Sequence, residues 1–391
     1  MLRSLFSGIS GLRAHQTMLD VTGNNIANVN TSGFKSSQAQ FQDTLSQVLS
    51  NAGGAQAGVG GTNPAQVGLG VRTAGVSTNF QQGAAQLTNK STDMMISGDG
   101  FFVVSKGGEQ LYSRAGAFSF DSTGQLVTTD GGLVQGWAAD ATGVIDPNGA
   151  LTDLRLPIAT LMGAAATANA SFEGNLPIDA ATGTVLNRTI EVYNAAGTVS
   201  SLDLAFTRSA TGWDISAAID ATNTTSTMTF NADGTLATGG TFTVGAVTVD
   251  LSMLTGFAGL STVAGLEQDG RAAGTLQSFT INADGTLLGS FSNGLKQAVG
   301  RVALAAFTNP SGLEKAGDSA YRTSVNSGDP QVGTAGSAGR GSLTGGALEM
   351  SNVDLSAEFT NLIIAQRGFQ ANSRVITTSD EVLQELVNLK R

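Results

Sequence analysis

The chain of 391 residues contains no cysteine and a single histidine, His15. Without thiols, neither a disulfide framework nor a thiolate metal site can form. One histidine cannot supply a histidine-rich zinc site or the metalloprotease motif, and a catalytic triad would have to be built around His15 alone. The residues of the commonest catalytic and metal-binding centres are therefore largely missing.

Charge is also scarce, because Asp, Glu, Lys and Arg together make up 13% of the residues, about half the usual share. None of the lysines follows a glycine and no serine lies in a G-x-S-x-G pattern, which excludes a Walker A loop and a nucleophile elbow. Two-carboxylate catalysis stays open, since 30 acidic residues are present. We predict that the protein is not an enzyme and needs no cofactor or metal.

The charge that is present is mainly negative, with a net value of −10. Segment 151–273 carries eleven acidic and four basic residues, which gives −7. A surface of this sign repels phosphate groups, so we expect neither nucleic acid nor an anionic membrane as a partner.

Long apolar runs are missing as well, and no stretch reaches the length of about 18 residues that a membrane-spanning helix requires. The N-terminal sequence begins like a signal peptide with Arg3, but Arg13 and His15 interrupt the apolar run and no small-residue cleavage site follows. We predict an uncleaved N-terminus.

Glycine, by contrast, is abundant, with 52 residues. Segment 94–132 alternates short apolar runs with Gly-Asp-Gly, Lys-Gly-Gly and Ser-Thr-Gly turns, which predicts an antiparallel meander. The sequence NADGTL occurs at 231–236 and again at 282–287, and we interpret both copies as tight turns rather than calcium loops. The glycine-rich segments 51–70 and 327–346 are predicted to be linkers or extended arms.

The N-terminal segment predicts an amphipathic helix, because apolar residues recur with the spacing of a narrow seam. The helix should be weak alone, since Gly8 and Gly11 each cost about 1 kcal/mol relative to alanine. Gly23 and the asparagines that follow predict a helix stop and turns. The two seven-residue series are Leu2, Ile9 and Gln16, and Leu5, Leu12, Leu19 and Ile26.

The C-terminal segment predicts a second amphipathic helix, with Asn352 or Asp354 as its N-cap. We expect the N- and C-terminal helices to pair as a coiled-coil-like inner domain. Its seam residues recur at intervals of seven: Leu355, Leu362, Phe369, Ile376 and Leu383.

The sequence therefore predicts a mainly β fold with α-helical termini and two successively inserted antiparallel β domains. Residues 1–70 and 345–391 are expected to form the helical inner domain with its extended arm. Residues 71–150 with 274–344 are expected to form an inner β domain, and 151–273 an outer, variable one.

Both ends carry specific motifs. LDVTGNNIANVNTSGFK, at 19–35, and the tail from Gly346 to Arg391, which includes SNVDL and AQRGFQAN, resemble the paired terminal signatures of the flagellar rod, hook and hook-associated proteins. Interior segments such as ISGDGFFVV and SNGLKQAVGRVALAAFTNPSGLEKAGDSAY, together with the chain length, are similar to the hook members of that family.

This resemblance implies a subunit that self-assembles into a flexible curved tube and transmits torque from rod to filament as a universal joint. It also implies export through the flagellar type III apparatus without cleavage, assembly beneath a hook cap protein, and a location in the hook outside the cell. The implied partners are further copies of the chain, the distal rod protein, the cap and the hook–filament junction proteins.

The seam residues, except Gln16 and Ile26, and three asparagines are predicted self-assembly residues. The two apolar stripes would pack on each other and on neighbouring subunits, and an ordinary intramolecular helix pair is the alternative. Asn24, Asn25 and Asn28 could form inter-subunit hydrogen bonds or a capped turn. Competing functions are a distal rod or hook-associated subunit, a secreted β-rich adhesin, and an enzyme domain housed in 151–273.

Overall fold

The computed structural model describes residues 2–54, 58, 60–156 and 162–388. The two α-helices are α1, Leu2–Ala27, and α2, Leu355–Asn388. A short 3₁₀ helix covers Pro310–Gly312. Of the predicted contact residues, Leu2 lies outside the part whose side chains are described.

The helices pair antiparallel, because residues early in α1 face residues late in α2. Gly11 of α1 lies beside Asn372, and Asn25, near the end of α1, bonds Glu358 in the first turn of α2. Helix α1 continues through Gly23 to Ala27, so the predicted helix stop at Gly23 was wrong. A stop signal in the sequence is weak where tertiary contacts hold the following residues in the helix.

The strands of the first part of the chain are β1 (Ser37–Asp43), β2 (Ser46–Ser50), β3 (Ala65–Gly68), β4 (Val71–Thr78), β5 (Ala85–Leu87), β6 (Met94–Ser97), β7 (Phe101–Lys106), β8 (Glu109–Ser113), β9 (Phe118–Phe120), β10 (Leu126–Thr128), β11 (Leu133–Ala138) and β12 (Thr152–Asp153). Those of the middle part are β13 (Asn169–Asn175), β14 (Val185–Tyr193), β15 (Val199–Arg208), β16 (Trp213–Ile219), β17 (Thr222–Phe230), β18 (Leu236–Thr238), β19 (Thr241–Val244), β20 (Val247–Thr255) and β21 (Ala264–Gln268). Those of the last part are β22 (Leu276–Ile281), β23 (Thr286–Phe291), β24 (Lys296–Val302), β25 (Leu304–Ala306), β26 (Glu314–Gly317), β27 (Ala320–Arg322), β28 (Gln331–Gly333), β29 (Ser342–Gly345) and β30 (Ala347–Glu349).

The largest sheet joins strands from both sides of the middle part, with the order β22-β23-β24-β11-β7-β8-β27-β26 along its main path. Its strand β7 is apolar on both faces: Phe101 and Val103 belong to one buried cluster, whereas Phe102 belongs to another. Because alternate side chains of a strand point to opposite faces, this run predicts a sheet covered on both sides. Both faces are indeed occupied by core residues.

The middle part forms two further sheets, β14-β15-β16-β17-β18 and β19-β20-β13-β21. A separate buried cluster draws residues from both, and it includes Phe172, Phe206 and Trp213. Most pairs are antiparallel as predicted, but β13 pairs with β20 in parallel. Local patterns predict strands but not which distant strands meet, so this pair had no signal in the sequence.

The segment 94–132 is only partly a meander. Strands β7 and β8 form a hairpin and β9 pairs with β10, but β6 leaves the run and pairs with β29. Positive backbone φ angles at Gly98 (107°) and Gly100 (131°) turn the chain between β6 and β7. Glycine adopts this conformation without steric cost, and here it redirects the chain instead of closing a hairpin.

Both copies of NADGTL are turns, as predicted. In the first, the amide of Gly234 donates to the carbonyl oxygen of Asn231, and in the second Gly285 donates to Asn282 in the same way. Both segments predicted to be linkers or extended arms contain strands. In 51–70 the end at Ala65–Gly68 is β3, which pairs with β2, and 327–346 contains β28 and β29, which pair with β25 and β6.

Candidate functional site at the junction of the chain ends

The contact between the helices is made by small residues. Gly8, Gly11 and Ala14 are buried on α1, and a Cβ atom on Gly11 would lie 2.8 Å from Oδ1 of Asn372. A Cβ on Gly368 of α2 would lie 2.4 Å from the ring of His15. The side chains of Asn372 and His15 therefore occupy the space that a larger side chain at Gly11 or Gly368 would need. Gly11, which weakens the isolated helix, thus makes room for Asn372 in the helix pair.

The predicted apolar contact residues flank this line of small residues. Leu355 is exposed, and Phe369, for example, is only half-buried. The side chains of this group are therefore partly available in the monomer. The half-buried members are Leu5, Ile9, Leu12, Leu19, Leu362, Phe369, Ile376 and Leu383.

The three predicted asparagines differ in position. Asn25 is buried, and its side-chain amide donates to the carbonyl oxygen of Ser37 (2.7 Å) and to Oε1 of Glu358 (2.9 Å), while its Oδ1 accepts from the amide of Ser37 (3.0 Å). Both amide hydrogens of Asn25 are thus engaged inside the chain. Asn28 donates to the backbone carbonyl and to Oδ1 of Asn24, which is exposed. The inter-subunit network stays a prediction for these two residues.

A buried charge cluster lies close to Asn25 in sequence. Nζ of Lys35 lies 2.6 Å from Oε1 of Glu349, and both side chains are fully buried. Lys35 also donates to the carbonyl oxygen of Gln81 (2.7 Å), and the amide of Gly83 donates to Oε1 of Glu349 (2.8 Å). Nη1 of Arg114 lies 3.5 Å from Oε2 of Glu349, at the other side of the carboxylate.

Burial dominates the electrostatics of the two cations. It lowers the pKa of Lys35 below the ordinary lysine value, against the opposing effect of Glu349. It lowers the pKa of Arg114 in the same way. A buried cation is costly unless it is paired and hydrogen-bonded, so the carboxylate of Glu349 is what makes these positions tolerable.

The segment that leads into α2 is hydrogen-bonded to the chain near the buried charge cluster. The side-chain amide of Asn352 donates to the carbonyl oxygens of Asn79 (2.8 Å) and Gln81 (3.0 Å). Oδ1 of Asp354 accepts from the amide of Ser356 (2.8 Å), which is an N-cap contact. Of the two predicted caps, Asp354 is therefore the one that caps α2, and Asn352 anchors the chain to the β structure.

Apolar side chains remain exposed on both helices. Phe6 on α1 is 64% exposed, and Val387 near the end of α2 is 67% exposed. We call the helix-borne group the helix surface, and its members are Phe6, Phe359, Ile363, Ile364, Val375, Val382, Leu386 and Val387. The β2–β3 hairpin and its flanks form a second group, the hairpin surface, with exposed Leu45, Val48, Leu49, Val67 and Leu69.

Neither a metal-binding cluster nor a membrane-spanning helix is found in the described ranges. No group of three or more His, Asp or Glu residues there could hold a metal ion. No described helix is long and apolar enough to cross a membrane.

The sequence did not indicate that several residues of this site belong to it. The motif at 19–35 contains Lys35, and the C-terminal signature from Gly346 to Arg391 contains Glu349. Nothing in either motif indicates that these two residues meet across 314 residues. Arg114 lies in the β structure and carries no motif. Gly8 and Gly11 did have a signal, since two glycines three residues apart in a helix allow close backbone approach.

The fold and the junction together define a structural protein whose two chain ends form one helical unit. Three family descriptions match the chain: "Flagella basal body rod protein" at 5–35, "Flagellar hook protein FlgE/F/G D1 domain" at 95–238, and "Flagellar basal body rod FlgEFG protein C-terminal" at 344–389.

Relatives match along the whole chain. The flagellar hook protein FlgE of Borreliella burgdorferi is 41% identical with both chains fully covered, and the flagellar basal-body rod protein FlgG of Bacillus subtilis is 34% identical with the same coverage. The crystal structure of Helicobacter pylori flagellar hook protein FlgE2 matches with a TM-score of 0.54 and 14% identity, over 68% of this chain and all of that one. This last likeness concerns the fold.

The chain belongs to the flagellar FlgE/F/G family of hook and basal-body rod proteins. Its function is that of a structural subunit of the flagellar hook, and it is not an enzyme, as predicted. The mainly β fold with paired terminal helices is confirmed too. The adhesin and the inserted enzyme domain have no support from these relatives.

Proposed function

We propose that the helix pair forms the inner part of a hollow tube and that the helix surface packs against neighbouring copies of the chain. Family membership implies self-polymerisation into the hook. The observation that carries the proposal is the set of apolar side chains that the monomer leaves exposed on α1 and α2. Burying one Leu, Ile or Phe side chain stabilises by about 1.5 to 3 kcal/mol, so a copy that covers several of them contributes substantially.

The hairpin surface is a second proposed contact. A two-stranded hairpin is marginally stable alone in water, and here it exposes Leu45 (83%) and Leu49 (60%). A neighbouring copy that covers these residues would stabilise the hairpin as well as the tube. We therefore assign the arm within 1–70 a role in assembly.

The predicted domain division is part of the proposal. Residues 1–70 and 345–391 would form the inner tube, 71–150 and 274–344 the next layer, and 151–273 the outer layer. The separate buried cluster between residues 170 and 263 supports an outer unit with its own core. Polar, exchangeable contacts between outer units would allow the tube to bend while the inner contacts persist.

The remaining predictions concern place and partners. We propose that the chain is exported through the flagellar type III apparatus without cleavage and assembles outside the cell beneath the hook cap protein. The distal rod protein and the hook–filament junction proteins would bind the two ends of the tube. In this position the tube transmits motor torque to the filament as a universal joint.

Electron microscopy of the polymerised protein tests the proposal. We expect curved, hook-diameter tubes from the full-length protein. Straight tubes would favour the distal rod alternative, for which the 34% identity to the rod protein FlgG is the specific observation. Protein that stays monomeric at high concentration, even with hook fragments as seeds, would contradict assembly through the helix surface.

A further inference from the structure

We propose that Lys35, Arg114 and Glu349 form a latch that makes the docking of both chain ends a single step, so that neither end docks without the other. Lys35 follows α1, Glu349 ends β30 just before α2, and Arg114 follows strand β8 of the large sheet. The three charges thus come from the N-terminal end, the C-terminal end and the sheet. Their contacts form only when all three parts are together.

The burial of the pair is what makes docking conditional. The side chains of Lys35 and Glu349 are both fully buried, and that of Arg114 is 2% exposed. Removing one partner of a buried ion pair leaves an uncompensated charge, which lowers the folding equilibrium constant by a factor of about 150 to 5000. Apolar residues of similar size would fill the same space without needing a partner, so the ionic pair adds a requirement that packing alone does not.

Backbone and amide contacts at the same place also connect the two ends. The amide of Gly33 donates to the carbonyl oxygen of Glu349 (2.7 Å), and the amide of Ser36 donates to Oδ1 of Asn352 (2.8 Å). Asn25 reaches Glu358. A displaced C-terminal end therefore removes hydrogen-bond partners from the N-terminal end, and the reverse holds too.

The sheet, by contrast, has an apolar core of its own, with residues such as Phe101, Phe102 and Leu304. Of the latch, the guanidinium of Arg114 lies over the ring of Phe101, 5.3 Å from its centre, and so packs on the edge of this core. We therefore expect the sheet to remain folded when the latch is open. The latch then separates two states of the chain: ends docked together, or both ends released.

Hydrogen exchange on the full-length monomer tests the latch. A residue at one chain end is substituted, and the protection of backbone amides at the other end is measured. In Glu349→Gln we expect the amides of 33–37 to lose protection by about 100-fold or more, although the substitution lies at the other end of the chain. In Lys35→Met we expect the same loss at β30. Protection of β7 and β24 in the large sheet should stay as in the wild type in both variants, which shows that this sheet still folds.

The exposed ion pair of Lys106 and Asp130 provides a matched control. Its atoms lie 2.7 Å apart with both side chains partly exposed, and exposed pairs contribute little, so Asp130→Asn should change exchange at 33–37 by less than about fivefold. A similarly small change in Glu349→Gln would overturn the latch. Wild-type monomer without protection at 33–37 would overturn it as well.

A double variant separates the latch from simple loss of stability. When Lys35→Met is combined with Glu349→Gln, both charges of the pair are gone. Only Arg114 is then left without its carboxylate, as it already is in Glu349→Gln alone. The loss of protection should therefore fall short of the product of the two single losses by about 100-fold. If the single effects multiply instead, the two residues act independently and the latch is contradicted. This comparison holds even where each single variant is strongly destabilised.

Discussion

The helix pair and the two sheets of the middle part bury their apolar residues to very different extents. In the sheets of 169–268, Phe206 and Trp213 are at most 1% exposed, within one continuous core. In the described part of α2 only Ala365 is buried, while Ile364 is 54% exposed. The middle sheets complete their core within one chain, whereas the helices present apolar residues that a single chain does not cover.

The sequences of the two regions explain this difference. Strand β15 alternates buried Leu202, Leu204 and Phe206 with polar or smaller residues, so one face meets the opposite sheet. Helix α2 carries apolar residues on more than one face, and α1 can cover only one of them. A helix that is apolar around much of its circumference is expected to be covered on several sides.

The largest effect should follow from charge on the uncovered face of α2. We expect Ile364→Asp combined with Val382→Asp to abolish tube formation, because aspartate in an apolar contact leaves an uncompensated charge. The free energy of unfolding of the monomer should change by less than about 0.5 kcal/mol, since both positions are exposed. Electron microscopy and urea unfolding measure the two effects.

Ile364→Val combined with Val382→Ile is the control, because it keeps both positions apolar and should assemble. Normal tubes from the aspartate variant would contradict a role of the helix surface in assembly. The residues first predicted, Leu362 and Phe369, are half-buried. Charge there would disturb the helix pair as well as assembly, so substitutions at these two positions would not separate an assembly defect from a folding defect.

The next largest effect concerns the core of the middle sheets. We expect Phe206→Ala to destabilise this unit by about 3 to 5 kcal/mol, through lost transfer free energy and an unfilled cavity. Fluorescence of Trp213, which lies in the same cluster, should report the loss in urea. A loss of less than about 1 kcal/mol in the free energy of unfolding would mean that the core rearranges to fill the cavity, and would contradict a core that one chain packs completely.

A matched pair of glycines tests the close helix packing. A Cβ at Gly11 would lie 2.8 Å from the Asn372 side chain, whereas at Gly23, also in α1, nothing lies within 4 Å. We therefore expect Gly11→Ala to destabilise the helix pair by about 1 to 3 kcal/mol. Gly23→Ala should stabilise it by about 1 kcal/mol through helix propensity. Equal effects of the two substitutions on thermal unfolding would contradict the close approach.

The smallest effect should come from the N-cap of α2. Because Oδ1 of Asp354 accepts the amide hydrogen of Ser356, Asp354→Ala should weaken the first turn by about 1 kcal/mol. Asp354→Asn is the control and should cost less, since its side-chain oxygen also accepts. Hydrogen exchange at 355–359 measures both, and identical exchange in the alanine variant and the wild type would exclude a capping role.

The sequence was sufficient for what depends on local pattern. The seven-residue series predicted α2, the Asp-Gly turns were located correctly, and the terminal motifs indicated the family. It was insufficient where a contact joins residues far apart in the chain, or where glycines and alanine, with little or no side chain, form the contact. The line of Gly8, Gly11 and Ala14 that α1 buries gives little hydrophobic signal, so the sequence pattern indicates the leucines beside it instead. Likewise, nothing in the sequence around Lys35 indicates that it is buried, because its partner Glu349 lies at the other end of the chain.

Hydrogen exchange of α2 in monomer and polymer tests most directly the claim that the helices are completed by neighbouring copies. We predict that amides of 375–388 gain strong protection on assembly, while those of β15 and β16 are equally protected in both states. Full protection of 375–388 already in dilute monomer, with no gain in the tube, would contradict the account.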